Sequence, residues 1–429
     1  MSEKIDRRSV LSVLFGAGGV GVTAAATGLP LPFLRIGKVQ AAAPNAHYVI
    51  MLCNSQGDPL NCNVPGTYDD DWVWHPPGGD FQPVELTFGT QRVRSARIWE
   101  RLGPSVLERT AVIHHATRSQ LHSELYKVLN LQGKTRGGSS IAEVIARHSS
   151  AEGELSTVQP NPIPVGDRDT LFVNAAPAPR LSPTALKSLL VTEDGDVFSQ
   201  FGPIRDRNID RISQVLHDTG NTEQRRLLDR MALSRREAAE LGDAAGELLA
   251  GISDDGPEAQ VRAAIAMFRL NVTPVISVNF DFGSDNHGDP TLSRETSEYT
   301  AGVDALAFLF QQAEAAGLTD RLTFASLNVF GRSLRRFNNG RTHNPAHNVM
   351  MLIGPNVQGG VFGGIEDTGR NGKCRAIDSR TGAARDDGDI PYEETLSSAA
   401  KTLACAVGMS SAAVDEAITE GTPIQAALR

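Results

Sequence analysis

The chain has 429 residues, 40% of them hydrophobic, enough to bury a large core as one big α/β domain or two smaller ones. Its net charge is −9 and no basic stripe stands out, which argues against nucleic acid as a partner. An aromatic content of 6% with 41 glycines fits an α/β enzyme-like chain better than a fibrous or disordered one.

The first segment reads as a targeting sequence. Asp6-Arg7-Arg8-Ser9-Val10-Leu11 carries an arginine pair, Leu14–Leu34 is mildly apolar and rich in Gly and Ala, and Ala41-Ala42-Ala43 follows. This is the pattern of a twin-arginine (Tat) export signal over residues 1–43, so the Tat machinery is an expected partner and the periplasm or the extracellular space the expected location. Gly16, Gly18, Gly19, Gly21, Pro30 and Pro32 interrupt the span and speak against a stable transmembrane anchor. Removing these residues takes away five basic and two acidic side chains, leaving a net charge of −12. Tat substrates cross already folded, so a bound metal is compatible with the route. In an oxidising compartment Cys53, Cys62, Cys374 and Cys405 could form up to two disulfides.

Tyr48–Cys53 is a continuous apolar run bounded by turn formers, the pattern of a buried strand in a parallel sheet, and it places Asp58 in the loop that follows. Pro65–Pro83 reads as an irregular excursion, Ile98–Glu108 as a helix and Thr110–Ala116 as the next strand. His122, Ser123 and Glu124 open a helix running through Leu131, and Ser140 caps another through Arg147. Proline is frequent from Val158 to Ala178, which predicts loop and edge strand. Residues 208–250 are strongly helical, with apolar and charged faces over Arg225–Arg236, and are read as a helical insertion at about 205–255. Pro257–Leu270 is a further helix, Val272–Phe280 a strand and Tyr299–Ala316 an amphipathic helix. Leu322–Leu327 and Val349–Gly354 are two more strands.

Strands alternating with helices at this spacing predict a doubly wound α/β sheet, in which loops at the carboxyl ends of the strands converge on one crevice. Asp58, His122, Asp285, His287, His343 and His347 all fall in such loops. Asp285 and His287 are two apart, so in extended backbone both side chains point the same way, and His343 arrives from a separate loop. Carboxylate oxygen and neutral imidazole nitrogen are natural ligands for a divalent metal, zinc or manganese among them. His122 or Ser123 at a helix start lies where backbone N–H groups favour an anion, and Arg332 is suited to an anionic ester group. Asp281 competes with Asp285 as a ligand, and His114 and His115 alternate faces, so at most one reaches the crevice.

Taken in order, several blocks resemble a family of Tat-exported bacterial proteins, domain of unknown function 1501, within the alkaline phosphatase and sulfatase superfamily. They are Gln56-Gly57-Asp58-Pro59-Leu60, Leu121-His122-Ser123, Ser284-Asp285-Asn286-His287, Val329-Phe330-Gly331-Arg332 and Gly340-Arg341-Thr342-His343, with Asn356–Gly364 as the glycine-rich strand and turn that follow. The resemblance implies a three-layer α/β/α fold with a mostly parallel central sheet over residues 44–429, and a metal-dependent hydrolase of small phosphate or sulfate esters. It implies metal ligands at Asp285, His287 and His343, with Asp58 facing a second metal. The sequence departs from the family where Val329, Thr342 and Leu121 replace a Glu, an Asp and a Ser. That leaves one metal, a weakened pair or none, and keeps open a second reading, a catalytically degenerate extracytoplasmic binding or scaffolding module.

Overall fold

The computed structural model describes residues 47–429 apart from 152–161, 169, 174–175, 191–201, 223–224, 226–227, 229–245, 247, 270–271 and 338. The expected export signal over residues 1–43, and most of the Arg225–Arg236 stretch within the expected insertion, lie outside the described residues. Seven strands form the central sheet: β1 (Tyr48–Leu52), β2 (Thr110–His115), β3 (Ile163–Pro164), β4 (Val275–Val278), β5 (Leu322–Ser326), β6 (Asn348–Ile353) and β7 (Gly360–Phe362). Their order is β7-β2-β6-β5-β1-β4-β3. All pairings are parallel except those of β6, which runs antiparallel to both β2 and β5.

The strands are apolar throughout because both faces of the sheet are covered. Along β1 successive side chains alternate between two cores. Tyr48, Ile50 and Leu52 pack with helices α2 (Pro257–Arg269) and α3 (Ser293–Ala315) through residues such as Phe268 and Leu306. Val49 and Met51 pack on the opposite side with α1 (Ile141–Ala151) and α4 (Thr395–Ala406), through Ile145 and Leu403 among others. The result is the expected three-layer α/β/α arrangement around a mostly parallel sheet.

Local departures have local causes. The helix expected over Ile98–Glu108 is broken at Gly103, which has φ 75° and is followed by Pro104, into a 3-10 segment (Arg97–Leu102) and a single α-turn (Pro104–Leu107). The helix expected from His122 is a 3-10 turn (His122–Glu124) leading into Leu125–Leu129. The strand expected from Val272 begins only at Val275, because Pro274 has no N–H to donate. An antiparallel hairpin, Pro83–Phe88 with Gln91–Ala96, lies outside the main sheet. All four cysteines are free, with Cys53, Cys62 and Cys374 buried, so the expectation of up to two disulfides is corrected. Among the described residues no helix is long and apolar enough to cross a membrane.

The one reversed strand matters for function. The carboxyl ends of β1, β2, β4 and β5 share one edge of the sheet with the amino end of β6, where Asn348 faces His115. Loops leaving four strands and the loop entering a fifth therefore meet there.

Candidate metal centre

Four side chains from three of these loops converge. His122 follows β2, Asp285 and His287 follow β4, and His343 precedes β6. One ligand atom from each lies within 4.8 Å of all the others. His287 Nε2 is 2.9 Å from His343 Nε2 and 3.4 Å from Asp285 Oδ1, and His122 Nε2 is 3.6 Å from Asp285 Oδ2.

The backbone around the site decides which ring nitrogens face inward. His122 Nδ1 donates to the Ser55 carbonyl at 2.7 Å and His343 Nδ1 to the Gln120 carbonyl at 2.6 Å. A carbonyl only accepts, so each Nδ1 carries the proton and each Nε2 turns a bare lone pair toward the cluster. The Arg341 backbone also hydrogen-bonds the His287 ring, and Arg332 Nη1, which can only donate, lies 3.2 Å from His287 Nε2, so that nitrogen is unprotonated as well. Two unprotonated Nε2 atoms 2.9 Å apart repel unless a cation lies between them. Zinc bonds of about 2.0–2.1 Å to each in tetrahedral geometry would place two such nitrogens about 3.3 Å apart, slightly wider than they stand here. The donor set therefore fits a divalent metal.

Electrostatics keep the ligands in the right protonation state. Burial, joined by the Arg332 charge, holds the His287 imidazole below its ordinary value. Burial lowers His343 to about 4, against the raising effect of the Gln120 carbonyl. Burial alone would raise Asp285, but Arg332, His287 and His122 together outweigh it and hold the carboxyl below the usual range. The result is neutral His287 and His343 imidazoles and an ionised Asp285 carboxylate at neutral pH. Side chains of His122, Asp285 and His287 are 38%, 38% and 48% exposed, so the cluster opens to solvent.

Beneath the cluster lies a rigid floor. The Phe330 ring stacks on His343 with centroids 4.1 Å apart and meets His122 edge-on at 5.1 Å. Gly57, at φ +67°, lets the β1 loop pass over this ring, since a Cβ there would lie 1.9 Å from Phe330. Arg332 is fully buried. It donates to Asp285 Oδ1 at 2.8 Å, to the Gln56 carbonyl at 2.5 Å and to the Gly57 carbonyl, with Nη1 3.2 Å from His287 Nε2. With no exposed surface to offer an anion, Arg332 orients ligands instead of clamping a substrate. A second buried pair ties the loops together. Glu295 accepts from Arg341 Nε at 2.7 Å and Nη2 at 2.9 Å, and from Asn286 Nδ2 at 2.7 Å. Arg341 leads into His343 and Asn286 separates Asp285 from His287, so one carboxylate fixes both ligand loops.

Other expected residues lie elsewhere. Asp58 is fully buried outside the cluster. Oδ1 accepts from the Ser284 N–H and Oδ2 from Asn54 Nδ2, each at 2.8 Å. Burial and the nearby Asp281 push its carboxyl up to about 7. Asp281 is clamped by Arg168 at 2.5 and 2.8 Å, and neither acid joins the cluster of His122, Asp285, His287 and His343. Ser123 is exposed on the 3-10 turn beside His122. Val329 is completely buried in the apolar core, and Thr342 engages Ser333 through its backbone. His347 points inward to His114, away from the cluster.

Sequence reasoning missed the Ser55 and Gln120 carbonyls, which leave no trace in residue type, and Phe330, whose aromatic neighbours in space are distant in sequence. No protein-family model and no curated protein matches this chain.

Proposed function

We propose that this chain is an exported, single-metal hydrolase-type protein acting on small phosphate or sulfate esters. The observation that carries the reading is the convergence of three imidazole Nε2 atoms and one carboxylate, with the Nδ1 atoms of His122 and His343 fixed by backbone carbonyls. His122, Asp285, His287 and His343 would hold the ion, and nitrogen with carboxylate oxygen suits zinc, with manganese the alternative. A bound divalent ion supplies Lewis acidity toward an ester oxygen and lowers the pKa of a coordinated water.

The chain's own residues do the rest. Arg332 keeps Asp285 ionised and oriented, Phe330 holds two imidazole planes, and partial exposure leaves room for a small substrate. Ser123 follows His122 on the 3-10 turn and is exposed. The arginine pair Arg7-Arg8 and the stretch behind it support Tat export to the periplasm or beyond. The ordered motif blocks support kinship with the domain of unknown function 1501 family, in a one-metal form, because Val329 offers no ligand and Asp58 is engaged elsewhere.

The buried Val329 also favours a second reading, a member that has lost catalysis and binds ligands or scaffolds partners outside the cytoplasm. The protein without residues 1–43 is supplemented with zinc or manganese, freed of excess ion, assayed for metal and then offered aryl phosphate and aryl sulfate esters. One equivalent of metal with ester turnover supports the hydrolase. Metal without turnover supports the second reading, and no stoichiometric metal removes the metal centre altogether.

A further inference from the structure

Three fully buried polar side chains lie behind the candidate metal centre without belonging to its ligand set: Asn61, His114 and His347. Asn61 holds the backbone of residue 332 by both groups. Its Oδ1 accepts from the Arg332 N–H at 2.7 Å and its Nδ2 donates to the Arg332 carbonyl at 2.9 Å. An N–H can only donate, so this pair fixes which way the Asn61 amide faces. Nδ2 is then also 3.2 Å from His347 Nδ1. An amide nitrogen cannot accept, so His347 Nδ1 is the acceptor and the imidazole proton resides on Nε2. That Nε2 is 2.9 Å from His114 Nδ1 and donates to it. A hydrogen-bond chain of fixed direction thus runs from Arg332 through Asn61 and His347 to His114 on β2.

Two further features fit this arrangement. A Cβ at Gly331 would lie 2.1 Å from the His347 carbonyl and 2.8 Å from Asn61 Cγ, so only glycine lets the segments approach this closely. Burial also keeps His347 well below its ordinary pKa, as a neutral link in the chain requires. The backbone held by Asn61 carries the guanidinium that contacts Asp285 and His287.

We propose that Asn61, His347 and His114 form a positioning strut that sets Arg332, and through it the aim of Asp285 and His287. Its effect on metal affinity rests on the metal-centre reading above; its effect on Arg332 does not. None of the three touches the ligand atoms, so they are positioning residues. Second-layer partners of this kind typically change metal affinity by about 10–100-fold when removed.

Two substitutions separate positioning from packing. His347→Asn keeps an acceptor near the place of Nδ1 and loses the link to His114. His347→Gln carries its amide out to the place of Nε2 and loses the acceptor that faces Asn61. Cobalt(II) titration of the chain without residues 1–43 reads site number and affinity. The 15N resonance of the Arg332 Nε–H in metal-free protein, assigned through Arg332→Lys, reads the strut directly, and urea unfolding reads general damage.

The strut predicts that His347→Gln weakens cobalt binding about tenfold or more and shifts the Arg332 resonance, while His347→Asn, which keeps the contact with Asn61 and loses only the far link to His114, changes both by less despite comparable loss of stability. Equal affinities and an unmoved Arg332 signal in both variants overturn the proposal. If wild type binds no cobalt, the metal-centre reading falls, yet the Arg332 signal still decides the strut. Should His347→Gln not fold, His114→Leu removes the far acceptor and is read in the same way, a shifted Arg332 signal supporting the strut and an unmoved one overturning it.

Discussion

Two groups of histidines occupy the same edge of the sheet and behave in opposite ways. His122, His287 and His343 stand half in solvent with ring nitrogens converging, whereas His114, His115 and His347 are fully buried and the His114–His347 pair is used up in an end-to-end chain. His343 and His347 are only four residues apart, yet belong to different groups. What separates them is the partner of Nδ1. A backbone carbonyl there leaves Nε2 free to take a metal, while the Asn61 amide there turns Nε2 into a donor to another ring. The exposed group can serve chemistry because the buried frame holds its loops.

If that division is correct, the largest stability loss comes from the frame and not from the ligands. Glu295→Ala strands the buried Arg341 charge and frees Asn286, and should lower unfolding free energy by about 3–5 kcal/mol in urea titrations. Next comes a pH dependence from the buried rings. Burial lowers His114 to about 4 and His115 to about 3, while the unfolded chain protonates near 6.5. The unfolded state therefore binds more protons within that window, so this stability is complete above roughly pH 6.5 and is lost as pH falls toward 4. For His114 the effect is about 3 kcal/mol, and His114→Asn, which cannot titrate, should flatten the slope of stability against pH. His347→Leu, leaving the His114 acceptor unpaired, should cost about 1–3 kcal/mol by the same urea measurement. His122→Ala, at the exposed end of the comparison, should change metal-free stability by no more than about 1 kcal/mol while removing the rise in melting temperature that added zinc gives wild type. A large stability loss in His122→Ala would blur the distinction between the two groups.

The fold was legible because continuous apolar runs such as Tyr48–Cys53 and Leu322–Leu327 admit few readings other than buried strands. The reversal of β6 was not, since Asn348–Ile353 is as apolar as its parallel neighbours and carries no signal of direction. Asp285, His287 and His343 could be read as ligands from residue type and loop position. His122 could be read as a crevice-loop residue at a helix start but not as a ligand, because its neighbours in the cluster lie more than 160 residues further along the chain. The burial of Asp58 and Arg332 was not legible, because no local motif reports it: both are completely enclosed, and the backbone groups that occupy them belong to other loops.

The most direct test uses 15N-labelled histidine in the chain without residues 1–43, followed by long-range 1H–15N spectra before and after one equivalent of zinc. The account predicts Nδ1–H tautomers for His122 and His343, Nε2 shifts confined to His122, His287 and His343, and unmoved signals from His114, His115 and His347. Nε2–H tautomers at the first two positions, or zinc shifts that fall on the buried rings instead, would contradict it.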